Sequence, residues 1–322
     1  MAQQSTDTLP DLEAAAPESQ PRNTNPLGRA DRNLLKKTPG YYARGWHKLR
    51  KDKTAMVSLV LTVIILCFSF GAPIVSKMTG FDYMTGDYSQ ILKGPFENGK
   101  NILGTDNNGR DLLTRLAYGG RISMTVAVVA LAFALTLGMA IGSISGYFGG
   151  AIDSVLMRFV DVILSIPTIT LLLLFSVWFT PGPIGLAIII GALGWTGVAR
   201  LIRGEVLTLK NRDYVDAARV MGATNTQLIT RHILPNVIPI VLVWASLSLP
   251  SLILTEASLS YLGFGVHVPV PSWGNMLDDS RAYFSQSWWF AFFPGLMIFI
   301  SALCINLLGN GLRDALDPRL ND

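Results

Sequence analysis

The chain has 322 residues, is 50% hydrophobic and only 15% charged, and carries a formal net charge of +4. Its mean hydropathy is +0.40. A soluble domain carries about 25% charged residues, so this deficit, with long uncharged runs, excludes an ordinary soluble protein and points to a membrane one. Cys67 and Cys304 both lie in apolar runs, which argues against a disulfide framework.

Residues 1–28, rich in Gln, Ser, Thr, Pro and acidic groups, are expected to form a disordered cytoplasmic tail. The segment 29–55 is basic, with Arg29, Arg32, Lys36, Lys37, Arg44, Lys48, Arg50, Lys51 and Lys53. Such a cluster holds the N-terminus in the cytoplasm. Tyr41, Tyr42 and Trp46 within it suit a helix lying at the membrane interface, although a plain topogenic cluster reads as well. No cleavable signal peptide is expected, because this polar stretch precedes the first apolar run.

Residues 56–76, MVSLVLTVIILCFSFGAPIVS, hold no charge. The ten Val, Leu, Ile and Phe residues before Gly71 favour insertion by about 3 to 6 kcal/mol. This is the first predicted span. The segment 77–121 is then extracytoplasmic, although its six basic residues sit uneasily with the positive-inside rule. Within it GPFENGKN (Gly94–Asn101) imitates a phosphate loop, but Asn101 stands where Ser or Thr must hold Mg²⁺, and the pattern around it is not strand-then-helix. It reads as a turn.

Residues 122–311 are predicted to form a core of five spans: Ile122–Tyr147, Val155–Phe179, Pro183–Ile202, Asn236–Leu259 and Trp288–Leu308. In the first of these, Gly138, Gly142 and Gly146 make a bare stripe for close helix packing. In the next, Arg158 and Asp161 share a face. Their cost at the bilayer centre places them near the cytoplasmic end, as an ion pair fastening the bundle or, alternatively, a proton relay. Glu256 reads similarly near the external end of its span. Pro167, Pro239, Pro250 and Pro294 are expected to bend or locally unwind their helices. Six spans return the tail 312–322 to the cytoplasm. His47, His232 and His267 lack metal-ligand spacing, and nothing resembles a nucleophile elbow. No metal, cofactor, nucleic acid or catalytic centre is therefore expected in the chain itself.

Between the fourth and fifth spans, within 203–235, lies YVDAARVMGATNTQLITRHILPN. Tyr214, Ala217, Ala218 and Met221 follow helical spacing and share one face. Gly222 breaks that helix, and a second, Thr226–Ile233, runs to Pro235. The residues admit two uses: a knob gripped by a cytoplasmic partner, or an amphipathic helix on the membrane surface.

This segment resembles the EAA loop of ABC importer permeases: E-A-A, three residues, G, nine residues, I, one residue, L-P. Asp216, Ala217, Ala218, Gly222, Leu234 and Pro235 fall at its positions. Asp216 replaces Glu, and His232 takes the Ile position with Ile233 next to it. LGTDNNGRDLLTRLAYGGRIS (Leu103–Ser123), GYFGGAIDSVLMRFVDVILSIP (Gly146–Pro167), LSYLGFG with PSWGNML (Leu259–Leu277) and GNGLRDALDPR (Gly309–Arg319) are similar to the peptide-class permeases. The chain looks like the C-type permease subunit of a bacterial oligopeptide/dipeptide ABC importer. The resemblance implies an all-α polytopic protein of the inner membrane with six transmembrane helices, the type I importer permease fold and cytoplasmic termini. It also implies a homologous permease partner, two cytoplasmic ATPase subunits that bind ATP and Mg²⁺, and an extracytoplasmic peptide-binding protein. The subunit itself would be non-catalytic. Ala217 and Ala218 would form the ATPase contact floor, Asp216 a polar or charged anchor at its rim, Gly222 the turn, and Leu234–Pro235 the junction to the next span, with Tyr214 and Met221 also among the docking residues. A secondary transporter would need midplane ligands and usually repeat symmetry, and a channel a filter or charged ring; these remain the rival uses. Which peptide is carried is not readable in the residues.

Overall fold

The structure is a computed structural model, and it describes residues 41–97 and 99–316. The expected tail 1–28, the first part of the basic segment and the last six residues lie outside the described residues. Among the described residues the regular structure is helical, with one isolated bridge between Thr105 and Asp111.

Helix α1 (Tyr41–Lys51) leads into α2 (Lys53–Phe70). Asp52 starts α2 by accepting the Thr54 and Ala55 amides at 2.9 and 3.2 Å, leaving an uncharged helix over most of its length. Gly71 interrupts it, and Pro73 enters the first turn of α3 (Ala72–Thr79), where its missing amide costs nothing. At the far end of the chain, Ala315 of α11 (Trp288–Leu316) packs with Leu49 and Ala55. The two ends of the described chain therefore meet.

Helix α4 (Leu112–Phe148) is capped by Asp111, which accepts the Thr114 amide at 2.8 Å. It begins ten residues before the apolar run that marks the expected span. At 37 residues it is about 55 Å long, well beyond the roughly 30 Å hydrocarbon core, so its first turns stand outside the apolar layer. An apolar run reports depth in the bilayer, whereas the cap reports where the helix starts.

The expected single span 155–179 is two helices. α5 (Gly150–Leu164) and α6 (Thr168–Phe179) meet at 82° across Pro167. Proline disfavours helix in the residue before it and cannot continue the ladder. α7 (Pro183–Leu209) starts at its proline and runs past the apolar segment. The glycine stripe of α4 lies against α7. A Cβ on Gly138 would come within 2.6 Å of Val198, on Gly142 within 2.6 Å of the Ala199 carbonyl, and on Gly146 within 2.8 Å of the Arg203 carbonyl. Gly191 of α7 meets the Ala130 carbonyl in the same way at 2.6 Å. Packing without a hydrophobic drive between helices relies on such backbone approach.

α8 (Asp213–Val220) follows, then one turn at Asn225–Gln227, a π-helical stretch Leu228–Ile233, and α9 (Leu234–Tyr261). Pro239 and Pro250 lie inside α9, Pro294 inside α11. α10 (Trp273–Ser280) is a short helix begun by a capping box between Ser272 and Asn275. Among the described residues five helices are long and apolar enough to cross a membrane, and six spans result when α5 and α6 count as one bent span.

Candidate functional site

The segment between α7 and α9 folds as a compact knob. α8 carries Asp213 and Asp216 in its first turn and Arg219 in its last, charges that complement the helix dipole. It closes as a Schellman motif: the Ala223 amide reaches the Ala218 carbonyl at 3.1 Å and the Gly222 amide reaches Arg219 at 3.0 Å. Gly222 sits at φ +90°, a conformation glycine adopts without the Cβ penalty. Thr224 then caps the next turn in a box with Gln227.

What fixes the knob is apolar burial. Val215, Ala218, Leu228 and Ile233 form one cluster with Val198, Ile202 and Val206 of α7 and Val237 and Val241 of α9. Polar ties add to it. The Tyr147 hydroxyl donates to Asn225 at 2.7 Å, while Asn236 donates to Tyr214 at 3.3 Å and to the His232 carbonyl at 2.7 Å. Knob, α4 and α7 are thus one unit.

The eight expected site residues divide. Tyr214 (41% exposed) and Met221 (81%) face outward, as do Asp216, Ala217 and Gly222. Asp216 is tied to Arg219 at 2.6 Å. Ala218, 3% exposed, points into the chain's own core, so it is no contact floor for a partner. The helix is short and rotated so that Val215 and Ala218 share the inward face. Leu234 is half-buried and Pro235 exposed, and both lie within the continuous helical run from Asn225 to Tyr261. Leu234 and Pro235 open α9 directly after the π-helical stretch, a first turn in which proline is tolerated. Val220, 88% exposed, was not singled out in the sequence. Its signal was an apolar residue beside Met221, off the inward i, i+3 face.

The other end of the bundle is polar and locked. Asp106 is fully buried and pairs with Arg110 at 2.7 Å and Arg115 at 3.2 Å, and Asp279 of α10 lies 3.8 and 3.7 Å from the same two guanidinia. Burial pushes the Asp279 carboxyl up, against the pull of Arg115 and Arg110. Asn101 donates to Asp111 at 2.8 Å, and Arg115 donates to the Tyr83 carbonyl at 3.2 Å. The Gly94–Glu97 piece of the phosphate-loop mimic is a turn, its Glu97 side chain accepting the Gly94 amide at 2.7 Å. That bond and Lys93 hold the Glu97 carboxyl below the ordinary range.

One expected ion pair is corrected, and Glu256 is placed by hydrogen bonds. Asp161 pairs with Arg200 of α7 at 2.5 Å instead of with Arg158. Asp153 and Asp161 of α5 thus both pair with arginines of α7. Glu256 is buried and forms no ion pair among the described residues; it accepts the Ser260 hydroxyl at 2.8 Å. Ser260 in turn accepts the Val266 amide at 3.0 Å, and Asn275 donates to the Val266 and Val270 carbonyls, which fastens loop 262–272 to the bundle. Among the described residues no group of three His, Cys, Asp or Glu could hold a metal ion.

A bent-span helical bundle with a helical knob projecting between two spans is the architecture of a polytopic membrane protein. Residues 138–322 match the family described as binding-protein-dependent transport system inner membrane component, and residues 40–95 match the N-terminal TM domain of oligopeptide transport permease C. The oligopeptide transport system permease protein OppC of Haemophilus influenzae is 40% identical over 84% of this chain and 86% of its own length. The dipeptide transport system permease protein DppC of Bacillus subtilis is 35% identical over 87% and 86%. A chain from the inward-facing MetNI methionine ABC transporter superposes with a TM-score of 0.51 at 19% identity, over 63% of this chain and 96% of that one, which is a likeness of fold. The chain belongs to the family of binding-protein-dependent inner membrane transport components, among the peptide-class ABC permeases.

Proposed function

We propose that this subunit forms, with a homologous permease, the path by which peptides enter a bacterial cytoplasm, and that its 214–235 knob docks a cytoplasmic ATPase subunit. The observation that carries the docking is the outward tip. Tyr214, Val220 and Met221 are apolar or aromatic residues exposed on a knob whose other face is buried in the bundle. An apolar tip on a rigid base fits a partner's cleft, and a rigid base carries the partner's motion into α4, α7 and α9. Two ATPases would bind and hydrolyse ATP with Mg²⁺, and this chain would carry no cofactor. A peptide-binding protein would deliver substrate to the opposite end.

Charge supports this orientation, with both termini cytoplasmic. Lys210, Arg212 and Arg231 gather around the knob with no ion-paired acid among the described residues, while Arg200, Arg203 and Arg219 pair with Asp161, Asp153 and Asp216. At the opposite end the buried Asp106 pairs with both Arg110 and Arg115, and Glu97 pairs with Lys93 at 3.0 Å. Co-expression of the tagged chain with its neighbouring subunits, followed by mild detergent extraction, tests the proposal. A second permease and ATPase chains are expected to co-purify, and Val220→Asp with Met221→Asp should release the ATPases while keeping the permease pair. Recovery of a stable chain without any ATPase would contradict it.

A further inference from the structure

We infer that the groove at the end of the bundle opposite the knob is a subsite for the free C-terminal carboxylate of a transported peptide, read by Arg121. The inference rests on the importer reading above. The groove holds about 460 Å³, within the range of small-ligand sites, and is walled by Phe70, Tyr83, Tyr118, Val270 and Pro271, with Arg121 as its charged member. Pro183, which starts α7, also lines it, and the knob follows the other end of that helix, so the groove lies on the delivery side.

Three observations bear on the ligand. First, the neighbouring cations Lys93, Arg110 and Arg115 are each paired with an acid. Arg121 is exposed and forms no ion pair among the described residues. A guanidinium facing a cavity presents a planar fork that matches a carboxylate. Second, the aromatic wall is held in place. Arg115 donates to the Tyr83 carbonyl at 3.2 Å, and the Tyr83 and Tyr118 rings lie 4.4 Å apart. Flat rings beside one cation suit a terminal side chain and its peptide plane. Third, the remaining wall is loop 262–272, which the Ser260, Glu256 and Asn275 bonds hold to the bundle. The site is thus built from fixed parts, unlike an open helix face that acyl chains would cover.

The test uses the complete complex in proteoliposomes with its binding protein. Paired peptides, identical but for a free or an amidated C-terminus, are compared by kcat/KM of uptake. Each value is divided by that peptide's affinity for the isolated binding protein, which removes selection made there. Wild type is expected to favour the free acid by about ten-fold, Arg121→Gln to abolish the preference, and Arg121→Lys to keep part of it. An unchanged preference in Arg121→Gln, or an equal slowing of both peptides as a lipid-headgroup or subunit contact would give, overturns the subsite while leaving import intact. A wild-type complex that imports neither peptide overturns the importer reading as well.

Discussion

Arg203 holds Asp153 through two guanidinium nitrogens, at 2.5 and 2.6 Å, and the same carboxylate accepts the Ser145 hydroxyl. This joins α7, α5 and α4 beside the knob, while Lys210 closes the end of α4 by donating to the Gly146 carbonyl at 2.9 Å. The bent pair is thereby tied to the helix that carries the knob. Asp153→Ala is expected to destabilise the purified subunit pair by about 1–2 kcal/mol, read as a lower unfolding temperature. Exchanging the two charges in a double variant should restore part of that loss, and full additivity of the single losses would count against the pairing.

Ala218 belongs to the knob's interior, so enlarging it acts on folding before it acts on docking. Ala218→Leu should cost about 1–3 kcal/mol through overpacking against the α7 and α9 residues around it. The expected readout is a fall in the yield of monodisperse subunit in detergent. Ala217→Leu, on the exposed face, should leave that yield unchanged.

The α4–α7 contact is set by backbone approach at Gly142. Gly142→Val forces branched carbons into the 2.6 Å space before the Ala199 carbonyl and is expected to prevent stable assembly. At Gly204 a Cβ would meet nothing within 4 Å, so alanine there should cause no loss of yield.

Asp279 has its carboxyl pKa raised above 3.8 by burial. A raised folded-state value means that the protonated form favours folding. That stability is fully present below 3.8 and is lost as pH rises through the folded-state value. Asp279→Asn should flatten the acid-side dependence of the unfolding temperature. An identical slope in wild type and variant would rule out the assignment.

Much of this architecture was readable in the residues because membranes make strict demands. Uncharged runs marked the spans, Gly138, Gly142 and Gly146 announced a close helix contact, and Pro167 announced a bend, which the structure makes a full break. The motif placed Gly222 at the turn that it makes. What could not be read was rotation and partnership. The shared face of Tyr214, Ala217, Ala218 and Met221 looked like one surface, but an eight-residue helix buries whichever side its neighbours cover, and that side is set by α7 and the π-helical turn. Likewise Arg158 and Asp161 are neighbours by spacing, yet Asp161 pairs with Arg200 of α7, whose position spacing within one helix cannot give. The surplus of cations at 77–121, awkward for a topology rule that counts charges, is in part explained by the buried Asp106 and the half-buried Asp279, partners which only the fold supplies.

The central claim, that the knob's tip meets an ATPase, is tested most directly by photocrosslinking from single positions in the assembled complex. Probes at Val220 and Met221 should capture an ATPase subunit, while a probe at Val268, exposed on the loop at the opposite end, should capture the binding protein. Crosslinks from Val220 and Met221 to the binding protein, or none to an ATPase in a complex that hydrolyses ATP, would contradict the account.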